Sequence, residues 1–439
     1  MFKKYKFSFI YGFIGGLAFP PLYLIFFLPI TFDYLLKNIQ KMTYKDAIIF
    51  STAYFLPQFY WCSFSLLVDR TFILLFPFVV FFVPMVCAIY LLVVIYIMKK
   101  IKTENKFLQS VIFAFLYVIF EYLRGLFLPW NFIAYSLAFS DALIQIASIL
   151  NVYVFDFILV VLSCFLYVLE RQKKQFFLYV SLYLVFPIFI LIFGIIRLHN
   201  ATTIIFPQKI LLVQPNIKQE MKFDREEAFN NIKTMIDLSE GDADIVIWPE
   251  SSFPYTLKKN AELMGEFERI RDKVLIVGAI RTDDHYNMYN SLFIFKDNKT
   301  MNYYDKIKLV PFGEYMPFPF INNIFGFQDF IRGNDNKTFK IDKLKISPVI
   351  CYEIAFPNGV INKKNKPDVI VNITNDAWFG KTSGPYQHLV IAKFRAIENK
   401  MPVIRVANTG ISAYINEYGE VKKKLGLNEV GVLKIWDDK

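Results

Sequence analysis

Glu250, Lys306 and Cys351 are the residues of this 439-residue chain whose types and settings fit covalent acyl chemistry. Cys351 opens Cys351-Tyr352-Glu353 at the end of an apolar run, 345–350. Glu250 leaves the run Ile247-Trp248-Pro249, where the proline nitrogen cannot extend a strand ladder. Lys306 follows Tyr304-Asp305 and precedes Ile307-Lys308-Leu309-Val310. A thiol is a useful nucleophile only as its thiolate, with an ordinary pKa of about 8.5. A carboxylate beside it can take the proton, and an ammonium can favour the thiolate and then hold the oxyanion of a tetrahedral intermediate. A backbone N–H near the sulfur, such as that of Tyr352, would be a second oxyanion donor.

Each residue alone has a plain reading. A buried cysteine is usually a small apolar side chain, a Glu after Trp-Pro a solvated loop carboxylate, and Lys306 a neighbour of Lys308 on a basic face. What favours chemistry is the joint occurrence of Glu, Lys and Cys, each close to a predicted strand end. The other cysteines, Cys62, Cys87 and Cys164, lie in strongly apolar segments and provide no disulfide framework. A Cys–His pair is the competing arrangement, since His is the common base for Cys. His199, His285 and His388 are the histidines, and His388, in Gly384-Pro385-Tyr386-Gln387-His388, is read as supporting loop structure near the site. No metal-ligand spacing, dinucleotide fingerprint or phosphate-binding loop appears in the polar half, and Gly15-Gly16 reads as close helix packing.

The elements that must position these groups are alternating strands and helices. Strands are predicted at 210–214, 244–248, 274–280, 291–295, 345–350, 368–373, 402–406 and 411–415, several as near-continuous apolar runs suited to burial on both faces. Helices are predicted at 224–239, with Asp224 and Glu227 as a capping pair and Gly241 as the stop, and at 385–399. This is the pattern of an α/β layered domain, where function gathers at the carboxyl ends of strands.

Ahead of that domain the chain is of another kind. Overall it is 55% hydrophobic and 18% aromatic, too apolar for an ordinary soluble protein, and the excess precedes His199. Seven stretches read as transmembrane helices: 7–20, 21–36, 47–68, 71–98, 107–126, 144–169 and 176–196. No small-residue cleavage site follows the first, so it reads as a span and not a cleaved signal. Cations alternate between loops: Lys3, Lys4 and Lys6; Lys37, Lys41 and Lys45; Lys99, Lys100, Lys102 and Lys106; Arg171, Lys173 and Lys174. The intervening loops offer Arg70 and Arg124. This bias places the first set in the cytoplasm and, with seven spans, the following domain outside it. The net charge of +11 reflects this bias and not nucleic-acid binding. The expected division is a membrane domain, 1–198, and an extracytoplasmic catalytic domain, 199–439.

At the three segments around Glu250, Lys306 and Cys351 the chain resembles the nitrilase superfamily. With the membrane domain in front it resembles one branch, the bacterial apolipoprotein N-acyltransferases. Further segments carry the likeness: Glu121-Tyr122-Leu123-Arg124-Gly125, Pro129-Trp130-Asn131, 310–315, Asn375-Asp376-Ala377-Trp378-Phe379-Gly380, Arg395-Ala396, Glu398 and Asn408-Thr409-Gly410-Ile411-Ser412. The resemblance implies a four-layer α-β-β-α sandwich on the periplasmic side of the inner membrane. It implies Glu250 as base, Lys306 as transition-state stabiliser and Cys351 as nucleophile, with Glu314, Tyr352, Glu353, Phe223 and Trp378 in supporting or substrate-binding positions. The implied partners are a phospholipid acyl donor and an apolipoprotein acceptor, through a cysteine thioester, in a monomer without metal or cofactor. A membrane-anchored nitrilase-type amidase is the alternative enzyme, and a transporter or sensor with an inactive outer domain the non-enzymatic one.

The chain departs from the pattern at Phe223 (usually Trp), Pro215 (Gly), Lys308 (His) and Lys400 (Arg). Many members carry a further span after the catalytic domain, whereas this sequence ends Trp436-Asp437-Asp438-Lys439, so one membrane tether is expected to be missing. The aromatic segment 315–332, with Phe318, Phe320, Phe325, Phe327 and Phe330, reads either as a core-covering loop or as a lid dipping into the outer leaflet. Glu121 and Arg124, three apart on one apolar helix, are expected to grip a lipid headgroup or the first strands of the polar domain.

Overall fold

The computed structural model describes residues 2–68, 70–169, 176–201, 204–222, 224, 226–318, 328–335 and 337–436. They fall into two compact units: Met1–Ala201 with Phe379–Glu398, and Thr202–Trp378 with Asn399–Lys439.

The first unit is helical: α1 (Phe2–Gly16), α2 (Phe27–Asn38), α3 (Tyr44–Phe59), α4 (Phe76–Met98), α5 (Lys106–Gly125), α6 (Asp141–Ile144), α7 (Val152–Ser163), α8 (Phe165–Leu169) and α9 (Phe176–His199). Each of the seven apolar stretches carries a helix. Among the described residues, two helices are long and apolar enough to cross a membrane, Ile73–Met98 and Lys106–Gly125. Local signals set the starts. Thr43 and Asp46 form a reciprocal capping box on α3, and Asn105 and Asn151 cap α5 and α7. Gly16 lets α1 lie against α3, since a Cβ there would come within 2.4 Å of the Tyr54 carbonyl oxygen. Phe78, Phe81, Met85 and Ile89 on α4, and Leu184, Val185, Ile188 and Ile192 on α9, stand exposed, a belt that water would not favour.

Arg124 and Glu121 do pair, at 3.2 Å, and both are buried. The guanidinium also donates to the carbonyls of Leu128 at 2.8 Å and Trp130 at 2.7 Å. Its donors therefore fix the loop that follows α5, a role different from the expected grip on a headgroup or a strand.

The segment 379–398 belongs to this unit although it lies far along the chain. It contains a helix, Gly384–Asn399. Gln387 explains much of the grouping: its Oε1 accepts both the Trp61 and the Trp130 indole N–H at 2.9 Å, and its Nε2 donates to the Pro20 carbonyl at 3.2 Å. Arg395 adds a bond to the Tyr135 hydroxyl at 2.9 Å. The boundary expected at 198/199 thus leaves out one segment of the helical unit.

Among its described residues the second unit holds thirteen strands: β1 (Ile210–Gln214), β2 (Ile245–Ile247), β3 (Phe253–Leu257), β4 (Val274–Thr282), β5 (Met288–Lys296), β6 (Lys299–Asp305), β7 (Phe339–Ile341), β8 (Leu344–Ile350), β9 (Val369–Thr374), β10 (Val403–Ala407), β11 (Ser412–Ile415), β12 (Val421–Leu425) and β13 (Gly431–Ile435). One sheet runs β13-β1-β2-β4-β5-β6, with β3 beside β4, and the other β12-β11-β10-β9-β8-β7. β1, β2 and β4 pair in parallel, as do β8, β9 and β10. Alternation along β1 separates two cores. Ile210 and Leu212 join Ile346, Ile350 and Val371 between the sheets. Leu211 and Val213 face Ile232, Met235 and Ile236 of the helix α10 (Ala228–Ser239). Within this unit the layers are therefore helix, sheet, sheet. Asp224 sits one turn ahead of α10, its Oδ1 accepting the Glu226 N–H at 2.8 Å. In chain order the helix Gly384–Asn399 is α11.

Candidate active site

Glu250 follows β2, Lys306 follows β6 and Cys351 follows β8, and the fold draws all three into one buried cluster. Two backbone features press the chain into place. Cys351 has φ 49° and Ser251, after Glu250, has φ 47°, a left-handed conformation that side chains other than glycine rarely adopt. Gly278 of β4 faces the Glu250 turn, and a Cβ there would meet the Ser251 nitrogen at 2.5 Å. Its bare backbone permits that approach and donates to the Pro249 carbonyl at 3.2 Å.

Lys306 Nζ lies 3.3 Å from Glu250 Oε1 and 2.9 Å from Glu314 Oε1. Asn290 Nδ2 donates to the same two oxygens, at 2.8 and 2.6 Å. Glu314 also accepts the Val310 N–H at 2.8 Å, which closes its own loop. The Glu250 carboxylate accepts a hydrogen bond from Cys351, and Cys351 is also hydrogen-bonded to Thr374. Base, cation and thiol are thus in contact through Glu250.

The charges respond accordingly. Burial pushes the Glu250 carboxyl up, but the Lys306 ammonium, the Asn290 hydrogen bond and Lys222 hold it below the usual carboxylate range. Burial works against the Lys306 cation, yet Glu250 and Glu314 carry it well above an ordinary lysine. Burial and the Glu250 charge push the Cys351 thiol up, and Lys306 offsets them only in part. The resting sulfur is therefore a neutral thiol beside an ionised carboxylate. The sequence alone pointed to Lys306 favouring a thiolate, but desolvation outweighs it, and the proton must pass to Glu250 during attack.

Glu353 secures the geometry from below. Its Oε1 accepts the Ile307 N–H at 2.6 Å, the Tyr304 hydroxyl at 2.9 Å and the Lys308 N–H at 3.1 Å, and its Oε2 accepts the Ile350 N–H at 2.8 Å. One buried side chain on the cysteine turn thereby fixes the loop that carries Lys306. Tyr352 is buried, edge-on to Phe356 at 5.2 Å.

A carbon-nitrogen hydrolase family model matches residues 209–435. A model of the apolipoprotein N-acyltransferase N-terminal domain matches residues 11–165. The apolipoprotein N-acyltransferase of Rickettsia prowazekii (strain Madrid E) is 36% identical over 460 aligned residues, covering 99% of this chain and 92% of the relative. The chain belongs to the apolipoprotein N-acyltransferase family. A relative of the same name from Aquifex aeolicus (strain VF5) is 34% identical over 73% of this chain and 74% of its own length. Among solved structures, Saccharomyces cerevisiae Nit3, a member of branch 10 of the nitrilase superfamily, is 17% identical, with a TM-score of 0.42 over 54% of this chain and 93% of that chain.

Other residues singled out from the sequence of this apolipoprotein N-acyltransferase family member stand elsewhere. His388 is fully buried in the helical unit, its ring 5.1 Å from Trp130 and 6.1 Å from Phe379. Trp378, in the short helix Asp376–Phe379, is 41% exposed. Phe223, and Phe320, Phe325 and Phe327 of the expected lid, lie outside the described residues.

Three polar residues that the sequence did not single out, Asn290, Lys222 and Arg405, complete the cluster. Asn290 is the neutral bridge described above. Lys222 is 2% exposed, donates to the Glu250 carbonyl at 2.8 Å and feels the charges of Glu250 and Cys351. Burial pushes it down to about 8. Arg405 pairs with Asp376 at 2.6 Å and Asn372 at 2.7 Å, and Asp376 accepts from Thr374 at 3.0 Å. The available signal for Arg405 was its place in the apolar run 402–406, where a charge needs a partner.

Proposed function

We propose that this chain transfers a fatty acyl chain from a phospholipid, through a thioester on Cys351, to the α-amino group of diacylglyceryl-cysteine at the N-terminus of an apolipoprotein. In the first half-reaction Glu250 takes the Cys351 proton as the sulfur bonds to the ester carbonyl carbon. The resulting oxyanion is stabilised by Lys306. The carbon–oxygen ester bond breaks, Glu250 returns the proton to the departing oxygen, and a lysophospholipid leaves. In the second half-reaction the amine attacks the thioester carbonyl, Glu250 takes a proton from nitrogen, the carbon–sulfur bond breaks and the thiol is restored. Splitting the transfer through a covalent intermediate replaces one difficult step with two easier ones.

The single observation that carries this reading is the burial of Glu250, Lys306 and Cys351 in one cluster at three strand ends, with Lys306 Nζ 3.3 Å from Glu250 Oε1. The apolar belts on α4 and α9 support a multi-pass helical domain in the bacterial inner membrane. The loop-charge bias supports a periplasmic catalytic domain.

Purified protein incubated with phospholipid and a diacylglyceryl-cysteine peptide tests the proposal. N-acylated peptide and lysophospholipid should appear in equal amounts and vanish in Cys351→Ala. Release of ammonia from a short amide without acyl transfer would instead assign the site to amide hydrolysis.

A further inference from the structure

The helical unit contains a cavity of about 440 Å³, the size range of a small-molecule site. It lies at the end of α1 and beside α3. Leu17, Phe19, Leu56 and Pro57 give it apolar walls, while Tyr60, Lys381, Thr382 and Ser383 line its polar end. That end is the start of α11, sixteen residues long.

Most polar atoms there already have partners. The Thr382 hydroxyl donates to the Phe379 carbonyl at 2.7 Å and accepts the Gly384 N–H at 3.2 Å. The Ser383 N–H donates to the Tyr60 hydroxyl at 3.3 Å. The Ser383 hydroxyl oxygen is the exception: it is buried, in a residue 7% exposed, and among the described residues it has no hydrogen-bond partner. Lys381 is exposed at the same rim and, among the described residues, pairs with no carboxylate.

An unmet hydroxyl, an unpaired ammonium and the positive end of a helix line one end of the cavity, a setting that selects an oxyanion. The apolar walls beyond it are of no use to a free inorganic ion but suit hydrocarbon. We propose that this cavity is a phospholipid site, with the lipid phosphate at Ser383 and Lys381 and one acyl chain along Leu17, Phe19 and Pro57. The assignment is independent of the chemistry at Cys351.

The test uses the full-length Cys351→Ala protein, so that no acyl group is transferred, and a phosphatidylglycerol bearing a photoreactive group in one acyl chain. Illumination should cross-link peptides containing residues 13–22, 56–60 or 381–383. Lys381→Met and Ser383→Ala should each lower that yield about tenfold, the loss of one charge-assisted hydrogen bond. The exposed Lys258→Met should not change it. No cross-link in these peptides would overturn the site. Equal labelling by a diacylglycerol probe of the same chain would overturn the role of the phosphate. Loss of all labelling under excess inorganic phosphate would assign the spot to the free ion and overturn the lipid.

Discussion

Asn290 and Lys306 aim their side-chain nitrogens at the same two oxygens, Oε1 of Glu250 and Oε1 of Glu314. Two buried carboxylates are thus held together by one cation and one neutral amide. Charge alone would leave both acids sharing Lys306, whereas the amide lets Glu250 stay ionised and oriented towards sulfur. Replacing Asn290 with Leu should lower kcat/KM for acyl transfer by about 10- to 100-fold, less than the ~100- to 10,000-fold of a wholly lost general base, because Glu250 remains in place. A variant retaining full activity would show that Lys306 suffices.

Lys306 sets the acid limit of the reaction. Glu250 has a depressed pKa, so it is ionised at neutral pH and loses that form only as pH falls below the usual carboxylate value of 4.5. In Lys306→Met burial is opposed only by the weaker effects of Asn290 and Lys222, and the acid limb of the kcat/KM profile should move to higher pH. The same substitution removes an oxyanion partner and should cost about 100-fold or more at the optimum. A profile lowered at every pH without displacement would contradict the coupling.

Lys222 should set the alkaline limit. Its pKa is depressed to about 8, so the cation facing Glu250 and Cys351 is lost as pH rises through that value. Activity should fall above about pH 8 if that charge is used. Lys222→Arg, with a pKa above about 12, should carry the limb upward. Lys222→Met should abolish it and reduce the rate at neutral pH. An unchanged limb in both variants would assign Lys222 to packing alone.

Glu353 receives four hydrogen bonds and makes none as a donor. Gln in its place would turn an NH2 group towards donors. Glu353→Gln should therefore lower both thermal stability and activity. Each lost bond to the charged acceptor costs about 1.5–3 kcal/mol. Thermal unfolding followed alongside transfer activity would check this, and wild-type behaviour in both would remove the link between the Lys306 loop and the cysteine turn.

The pair Arg405–Asp376 is fully buried. Removing one partner strands a charge, at a cost of about 3–5 kcal/mol. Arg405→Met should fail to accumulate as folded protein, while the double replacement Arg405→Met with Asp376→Leu should restore expression. Equal expression of the single and double variants would contradict this.

Eight strands were legible in the sequence because they are interior strands with near-continuous apolar runs or neighbours of them. The five that were not, β3, β6, β7, β12 and β13, lie at the sheet margins. There polar side chains are admitted, as in Val421–Leu425, whose middle is three lysines. The catalytic candidates were legible because rare residue types stood at strand ends. Lys222 and Asn290 were not, since a lysine beside Gln219 and Glu220 reads as solvated surface and an asparagine in a strand carries no chemical signature. The grouping of 379–398 with the helical unit was hidden for a related reason. Gln387, which receives two indole N–H groups, is indistinguishable in sequence from any polar helix residue.

In the proposed reaction Cys351 carries a fatty acyl group between two substrates. Intact-mass measurement of the purified protein in the presence of phospholipid and absence of acceptor tests it most directly. The expected result is a gain of one fatty acyl mass, mapped to the peptide containing Cys351, removed by hydroxylamine and lost when the diacylglyceryl-cysteine peptide is added. An unmodified protein, or an acyl group on Cys62, Cys87 or Cys164 with none on Cys351, would contradict it.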